Sequence, residues 1–201
     1  KVSLGIIGAT PLELSIISPE RIVAEYKAKG WENVICYGMG STLYDVKNAA
    51  SAEMNIVCSA SAIKAAEYLK EKFGTPYEIE YPRSCLPEEI VQKADNFTDK
   101  NVLVIHNQTA ADAVRKLITE KSGKCHCTSA TFFMQKKELL QQSDFFLADE
   151  SDLCGNVGDN YDVVIADKTL RRVMKNFSGE FIDFPHFGLS GRLLQGESEK
   201  I

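Results

Sequence analysis

Short apolar runs alternate with amphipathic stretches along the whole chain, and that alternation predicts strands followed by helices. Residues 2–8 form a compact apolar run ending in Gly8, the profile of a buried strand. Ser18-Pro19 then supplies an N-cap with proline at the first helical position. Ile22, Val23 and Tyr26 make one stripe, and Gly30 is the stop signal. A second strand is expected over residues 33–37, turning at Gly38-Met39-Gly40 into a helix opened by Thr42 and Asp45. Leu43, Val46 and Ala50 should face inward from that helix. A third strand at residues 54–58 leads to a helix over 60–73 that buries Ile63, Ala66, Leu69 and Phe73. Gly74 and Pro76 end it, and residues 77–81 make a fourth strand.

Pro82 closes that set, and residues 86–97 read as a connecting helix before the pattern restarts at 101–106. Thr109 with Asp112 opens a helix carrying Ala113, Val114, Leu117 and Ile118, closed by Gly123. Further strands are expected at 124–128, 144–148, 162–166 and 180–184, with helices near 133–142 and 169–175. Residues 195–201 read as a frayed tail. Strands alternating with helices imply parallel sheets with right-handed crossovers. The fold class is therefore α/β: two consecutive Rossmann-like units, 1–85 and 101–201, with 86–100 as a connecting helix or linker.

Composition narrows the function classes. The 201 residues are 44% hydrophobic and 25% charged, enough for a full core, and the net charge of −5 argues against nucleic acid as a partner. Arg171-Arg172 and Lys136-Lys137 are isolated pairs on solvated faces. No apolar run approaches the roughly 20 residues that span a bilayer, so no membrane partner is expected. No signal peptide is visible, and the cytoplasm is the expected address. Six cysteines in a chain of this size do not read as a secreted disulfide framework, so no disulfides are expected. The chain opens at Lys1 with a strand starting almost at once, which suggests a piece of a longer protein.

Ligands of open parallel sheets bind outside the carboxyl ends of the strands, so candidate chemistry is sought there. The first tip, Gly5 to Thr10, lacks the G-x-G-x-x-G spacing, and no NAD is expected. Gly38, Gly40 and Ser41 follow a strand and open a helix; their amides could hold an anion, and a plain tight turn is the commoner explanation. Cys36, Cys58 and Cys85 fall at or just after strand ends, where a strand spacing of about 4.8 Å lets two thiols converge on a metal or cluster. The competing explanation is cysteine as a small buried hydrophobe; Cys58 is the best placed of the three for ligation. In Cys125-His126-Cys127 the strand alternation puts the histidine on the opposite face from the thiols, which favours structural roles. Asp149-Glu150-Ser151-Asp152 reads as a solvated acidic loop rather than a cation site. His106, at a strand tip, suits a ligand hydrogen bond or an ordinary loop. No Ser-His-Asp arrangement can be assigned.

Several stretches resemble the nitrogenase component 1 family, which includes nitrogenase subunits, a cofactor-assembly scaffold, and reductases and cyclases that act on tetrapyrroles. Met54-Asn55-Ile56-Val57-Cys58, then Ala65-Ala66-Glu67-Tyr68-Leu69, then Lys72-Phe73-Gly74-Thr75-Pro76-Tyr77 is similar to the family's "LN-V-C … A-x-x-L-x-x-x-F-G-x-P-Y" run. Residues 101–117 resemble the opening strand and helix of its third domain. Asp162-Val163-Val164-Ile165 and Phe184-Pro185-His186-Phe187-Gly188 resemble its closing strands and "FP" loop. The resemblance implies a chelatase-like arrangement of Rossmann-like domains around an iron–sulfur-type metallocluster or a tetrapyrrole. This chain would supply the second and third domains. Cys58 and His186 would be the metal ligands in the interdomain cleft, although the spacing from Asn55 to Cys58 is one residue shorter than in nitrogenase. Gly38, Gly40, Ser41 and His106 would line the same cofactor. The implied partners are a paralogous component 1 subunit, in a hetero- or homo-oligomer, and an ATP-dependent iron protein as electron donor.

The leading expectation is thus a nitrogenase-like oxidoreductase subunit, inactive as this fragment alone, whose reduction chemistry belongs to its cofactor. The alternative is a non-catalytic cofactor scaffold or carrier, or a small-molecule binding module of the same fold. A sugar- or nucleotide-transferring enzyme is disfavoured by the lack of a phosphate fingerprint.

Overall fold

The structure is a computed structural model that describes residues 3–157 and 160–196. It divides into two compact units, Lys1–Cys85 with Leu193–Ile201, and Leu86–Arg192. Among the described residues of the returning segment, Leu194 donates its N–H to the Ser15 carbonyl at 2.9 Å. The class is α/β with every strand pair parallel.

The first unit runs β1 (Ser3–Ile7), α1 (Pro11–Leu14), α2 (Glu20–Ala28), β2 (Asn33–Cys36), α3 (Leu43–Lys47), β3 (Met54–Val57), α4 (Ile63–Phe73) and β4 (Tyr77–Ile79). Its sheet order is β2-β1-β3-β4. α1 lies between the first expected strand and the first expected helix: Thr10 caps it and Pro11 takes the first position, so one turn forms and stops at Ser15 in the left-handed region. α4 ends as its signals predict, with Gly74 at φ 76°. In mid-sheet Gly5 pairs in register with Asn55, whose side chain is fully buried. A Cβ on Gly5 would lie 2.1 Å from Asn55 Oδ1 and 2.7 Å from the Tyr37 ring, so only glycine fits.

Two sequence expectations fail in this unit. Leu43 and Val46 do not face inward but are 72% and 49% exposed, and α3 buries no residue. Its five residues, fastened by the reciprocal Thr42–Asp45 box, are too short to lay a stripe on the sheet. Phe73 is the last residue of α4 and stays exposed, packing edge-on against Tyr68 at 6.2 Å.

The second unit runs α5 (Glu88–Lys93), β5 (Asn101–Ile105), α6 (Gln108–Ser122), β6 (His126–Thr131), β7 (Phe145–Phe146), α7 (Glu150–Asn156), β8 (Val163–Ala166), β9 (Glu180–Asp183) and α8 (Phe187–Ser190). Its order, β7-β6-β5-β8-β9, is the 3-2-1-4-5 part of the doubly wound order, a nucleotide-binding half of three strands with two strands added. Residues 86–100 pack into this unit: Ile90, Ala94 and Phe97 are fully buried, and Lys93 bridges to Glu180 at 2.8 Å. One core cluster gathers Leu103, Ile105, Val164 and Ala166 from the strands with Leu153, Met174 and Phe177.

The helix expected near 133–142 is instead an irregular loop with one 3₁₀ turn, Lys137–Leu139. Two anchors hold it open: Gln108 exchanges two hydrogen bonds with the backbone of Lys136, and Asp144 accepts from Gln141 N–H. The helix expected at 169–175 shrinks to a 3₁₀ turn, Lys168–Arg172. Conversely, the acidic stretch after Asp149 is helical, because Asp149 accepts from Ser151 N–H and caps α7.

The close fit over β1 gives a direct test. Gly5→Ala should lower stability by about 1–3 kcal/mol through overpacking against Asn55 and Tyr37, read as a shift in the urea midpoint at unchanged slope.

Candidate functional site

In each sheet the connections leave in opposite directions from one pair of neighbouring strands, and the crevice at their carboxyl ends is where such folds bind ligands. In the first unit that pair is β1 and β3; in the second it is β5 and β8. The residues leaving these strands are Gly8–Thr10 and Cys58–Ser61 in the first unit, and His106–Gln108 and Asp167 in the second.

In the first unit the two tips approach closely. Gly8 adopts φ 84°, and a Cβ there would lie 2.5 Å from Ser59 Oγ. Ser59 and Ser61 share a hydroxyl hydrogen bond of 2.8 Å, and Ser61 donates to Glu13 Oε1 at 3.1 Å. Cys58 extends the ladder by donating its N–H to Ile7 O at 2.9 Å. Alternation along the strand puts its thiol on the face of Ile56 rather than out at the tip. The side chain is wholly enclosed, and its electrostatic neighbours include Cys85, Cys36 and Tyr26 of α2. Burial first, then those thiols with Glu80 and Glu25, pushes the Cys58 thiol well above its ordinary range. Burial alone raises Cys36 to about 12.

The Gly38–Ser41 turn closes on itself. Gly38 and Gly40 take φ 94° and 75°, Gly38 N–H donates to Ser41 Oγ at 3.2 Å, and Met39 is tucked inward. Thr42 N–H is taken by the Asp45 carboxylate at 2.7 Å, and the Thr42 bonds hold Asp45 below its usual pKa. A negative charge thus already stands where an anion would dock.

In the second unit the tips form a buried aromatic and polar block. His106 is 1% exposed, stacks on Phe184 at 3.9 Å and donates Nε2–H to the Pro185 carbonyl at 3.2 Å. His186, also 1% exposed, lies parallel to Phe133 at 4.0 Å and 4.6 Å from the His106 ring. Burial holds both imidazoles neutral, lowering His106 to about 3 and His186 to about 4. Asn107 caps α6 by accepting from Ala110 N–H at 2.9 Å.

Beneath these rings sits Asp167, whose carboxylate is fully buried. One oxygen accepts from Thr169 N–H and O–H; the other accepts from His186 N–H at 2.9 Å and Ser190 O–H at 2.5 Å. Arg192 lies 3.2 Å from it and forks onto Asp183 at 2.7 and 2.6 Å. Burial opposes the charge, but these hydrogen bonds prevail and hold Asp167 at about 2. Sequence reasoning missed Asp167 and Arg192; the available signal was aspartate two residues before threonine at the end of an apolar run, an Asx-type turn.

The donor chemistry of the two implied metal ligands does not suit a metal. A ligating thiol must be deprotonated and open to the metal on one side, whereas Cys58 is enclosed and held protonated. His186 Nδ1 accepts from Gly188 N–H at 3.1 Å, which assigns the ring proton to Nε2. That nitrogen therefore presents N–H, not a lone pair, and it is buried without a hydrogen-bond partner among the described residues. Among the described residues no group of three or more histidine, cysteine or acidic side chains is arranged to hold a metal ion. No described helix is long and apolar enough to cross a membrane.

Two outcomes follow. Asp167→Asn should cost about 3 kcal/mol in urea unfolding, because it puts an amide among four donors and strips Arg192 of a charge partner; a loss below about 1 kcal/mol would contradict its anchoring role. Both histidines have folded pKa values below 6.5, so their stabilisation is complete above that pH and is lost as pH falls towards 4. His186→Phe retains a ring to stack on Phe133 and removes one of those protons. The acid-side slope of stability against pH should flatten by about 1.4 kcal/mol per pH unit between about pH 5.5 and 4.5.

No protein-family profile and no curated protein sequence matches the chain. Among solved structures it is similar to one described as nitrogenase Cp1 at pH 6.5, with a TM-score of 0.58 and 12% sequence identity. The match covers 92% of this chain and 53% of that one, so the chain spans about half the length of the protein it resembles. At this identity the likeness establishes a nitrogenase-like fold.

Proposed function

We propose that the chain is the second-and-third-domain portion of a nitrogenase component 1-like oxidoreductase subunit. It would hold its ligand through strand-tip contacts, not through iron bonds from Cys58 or His186. The supporting observation is the likeness to nitrogenase Cp1 along 92% of the chain. Of the two cofactor classes implied by the resemblance, a tetrapyrrole-type macrocycle agrees better with the donor chemistry than an iron–sulfur-type cluster ligated by this chain. The macrocycle would supply the reducible π-system. The contacts this chain would offer are the strand tips of each unit taken by itself: the tip carrying His106 and His186 in the second unit, and the Gly8, Gly38–Ser41 and Cys58 tips in the first. A paralogous component 1 subunit would complete the assembly in the cytoplasm, and an ATP-dependent iron protein would deliver electrons.

A second reading, a non-catalytic scaffold or carrier, is favoured by one observation. Among the described residues the strand-tip carboxylate of the second unit's crevice is that of Asp167, which is fully engaged in structural hydrogen bonds and offers no proton to a reaction.

Anaerobic purification of the full-length protein, with iron analysis and a visible spectrum, tests the main reading. Cys58→Ala and His186→Phe should leave metal content unchanged; loss of stoichiometric iron in either variant would restore the ligated-cluster assignment. Reduction of the bound chromophore by an iron protein with ATP separates the enzyme from the carrier.

A further inference from the structure

The segment joining β6 to β7 is fastened firmly at its two ends and thinly between them. At one end Phe132 packs against the core cluster. At the other, the Asp144 side chain is buried and accepts from the Ser129 N–H and the Arg115 guanidinium. Among the described residues, two hydrogen bonds tie the stretch between to another element, and both come from Gln108 at the start of α6. Its Nε2–H donates to Lys136 O at 3.1 Å, and its Oε1 accepts from Lys136 N–H at 2.9 Å. The other bonds are local: Phe133 N–H to Thr131 Oγ1, Leu139 N–H to Lys136 O and Leu140 N–H to Lys137 O. Met134 is 59% exposed and Leu140 36%, so apolar burial does little for the middle of the stretch. A segment held this thinly opens at a fraction of the free energy of global unfolding.

The segment covers the strand tips of its own unit. Phe133 lies flat on His186, the ring planes 4.0 Å apart at centroids and tilted by 8°. The His186 Nε2–H is buried without a partner among the described residues, and so is Gln135 Nε2, two residues beyond Phe133. Both groups are donors. The closed segment therefore withholds two N–H donors from water and supplies no acceptor, which works against closure. Gln108 and the stacked ring work in favour of it.

We propose that residues 133–143 form a gate over the second unit's strand tips, plugged by Phe133 and latched by Gln108. It opens about Phe132 and Asp144 without unfolding the unit. Opening uncovers the His186 Nε2–H, a donor suited to a carboxylate or carbonyl oxygen. A ligand's use of that donor rests on the function proposed above; the opening does not, and its test involves no cofactor, so either can fail alone.

Lys136-Lys137 is a built-in reporter, because trypsin needs a segment freed from the surface. The full chain is digested across a series of sub-denaturing urea concentrations, and cutting after Lys136 and Lys137 is followed by peptide mass analysis. Its rate should depend on urea far less steeply than global unfolding does. Gln108→Ala removes both latch bonds and should speed this cutting by about tenfold. In the same variant the His186 N–H, identified by its loss in His186→Phe, should exchange with solvent faster by a similar factor in imidazole NMR. Phe133→Ala removes the plug and should accelerate both processes; it carries the test if Gln108→Ala does not fold. Three results would each overturn the gate: cutting with the full urea slope of global unfolding, rates in both variants within about twofold of wild type, or His186 exchange unmoved while cutting accelerates.

Discussion

Parallel strand pairing is the constraint from which the rest of this structure follows. Each pair of neighbouring strands points the same way, so the chain must cross back over a face of the sheet between them, and all carboxyl ends of one sheet gather along one edge. The crossovers bury both faces, which is why β5 and β8 are almost continuously apolar. The strand tips are then the natural place for polar side chains, and they collect there: Ser59 and Ser61 in one unit, His106, Asn107, Asp167 and His186 in the other.

What those polar groups do depends on how fully they satisfy one another. Asp167 remains charged in a buried setting because its acceptor capacity is filled by Thr169, His186, Ser190 and Arg192. The same network fixes the backbone from which His186 projects, and Gly188 then fixes its tautomer. Cys58 shows the opposite solution: a thiol is small and weakly polar enough to be enclosed as a hydrophobe. A residue type that suits metal ligation also serves as a buried hydrophobe, and fold likeness does not carry a ligand set with it.

Much of the fold was legible in the sequence. The apolar runs at β1, β3, β5 and β8, the Thr42–Asp45 box and the Gly74 stop are local signals read at short range, and they specify two α/β units. The errors come from long-range competition in one place and from element length in another. Residues 133–142 have helical periodicity, but Gln108 binds their backbone from α6, and Asp144 turns the end of the stretch by accepting from Gln141. Leu43 and Val46 fit an inward stripe only on a helix longer than five residues. For the candidate site, the positions of Cys58, His106 and His186 near strand ends could be read from the sequence. Whether the Cys58 thiol is enclosed depends on what packs over its face, Tyr26 and Cys85 included, and which His186 nitrogen carries the proton depends on one turn of α8. Neither is encoded in spacing.

The path of the chain has a consequence for how it is made. Leu194 returns to Ser15, so the first unit is assembled from two stretches of sequence with the whole second unit inserted between them. During synthesis the insert emerges as a continuous segment and can acquire its core while its host still lacks a component. The host's contact with Leu194 becomes available only after the insert has been made.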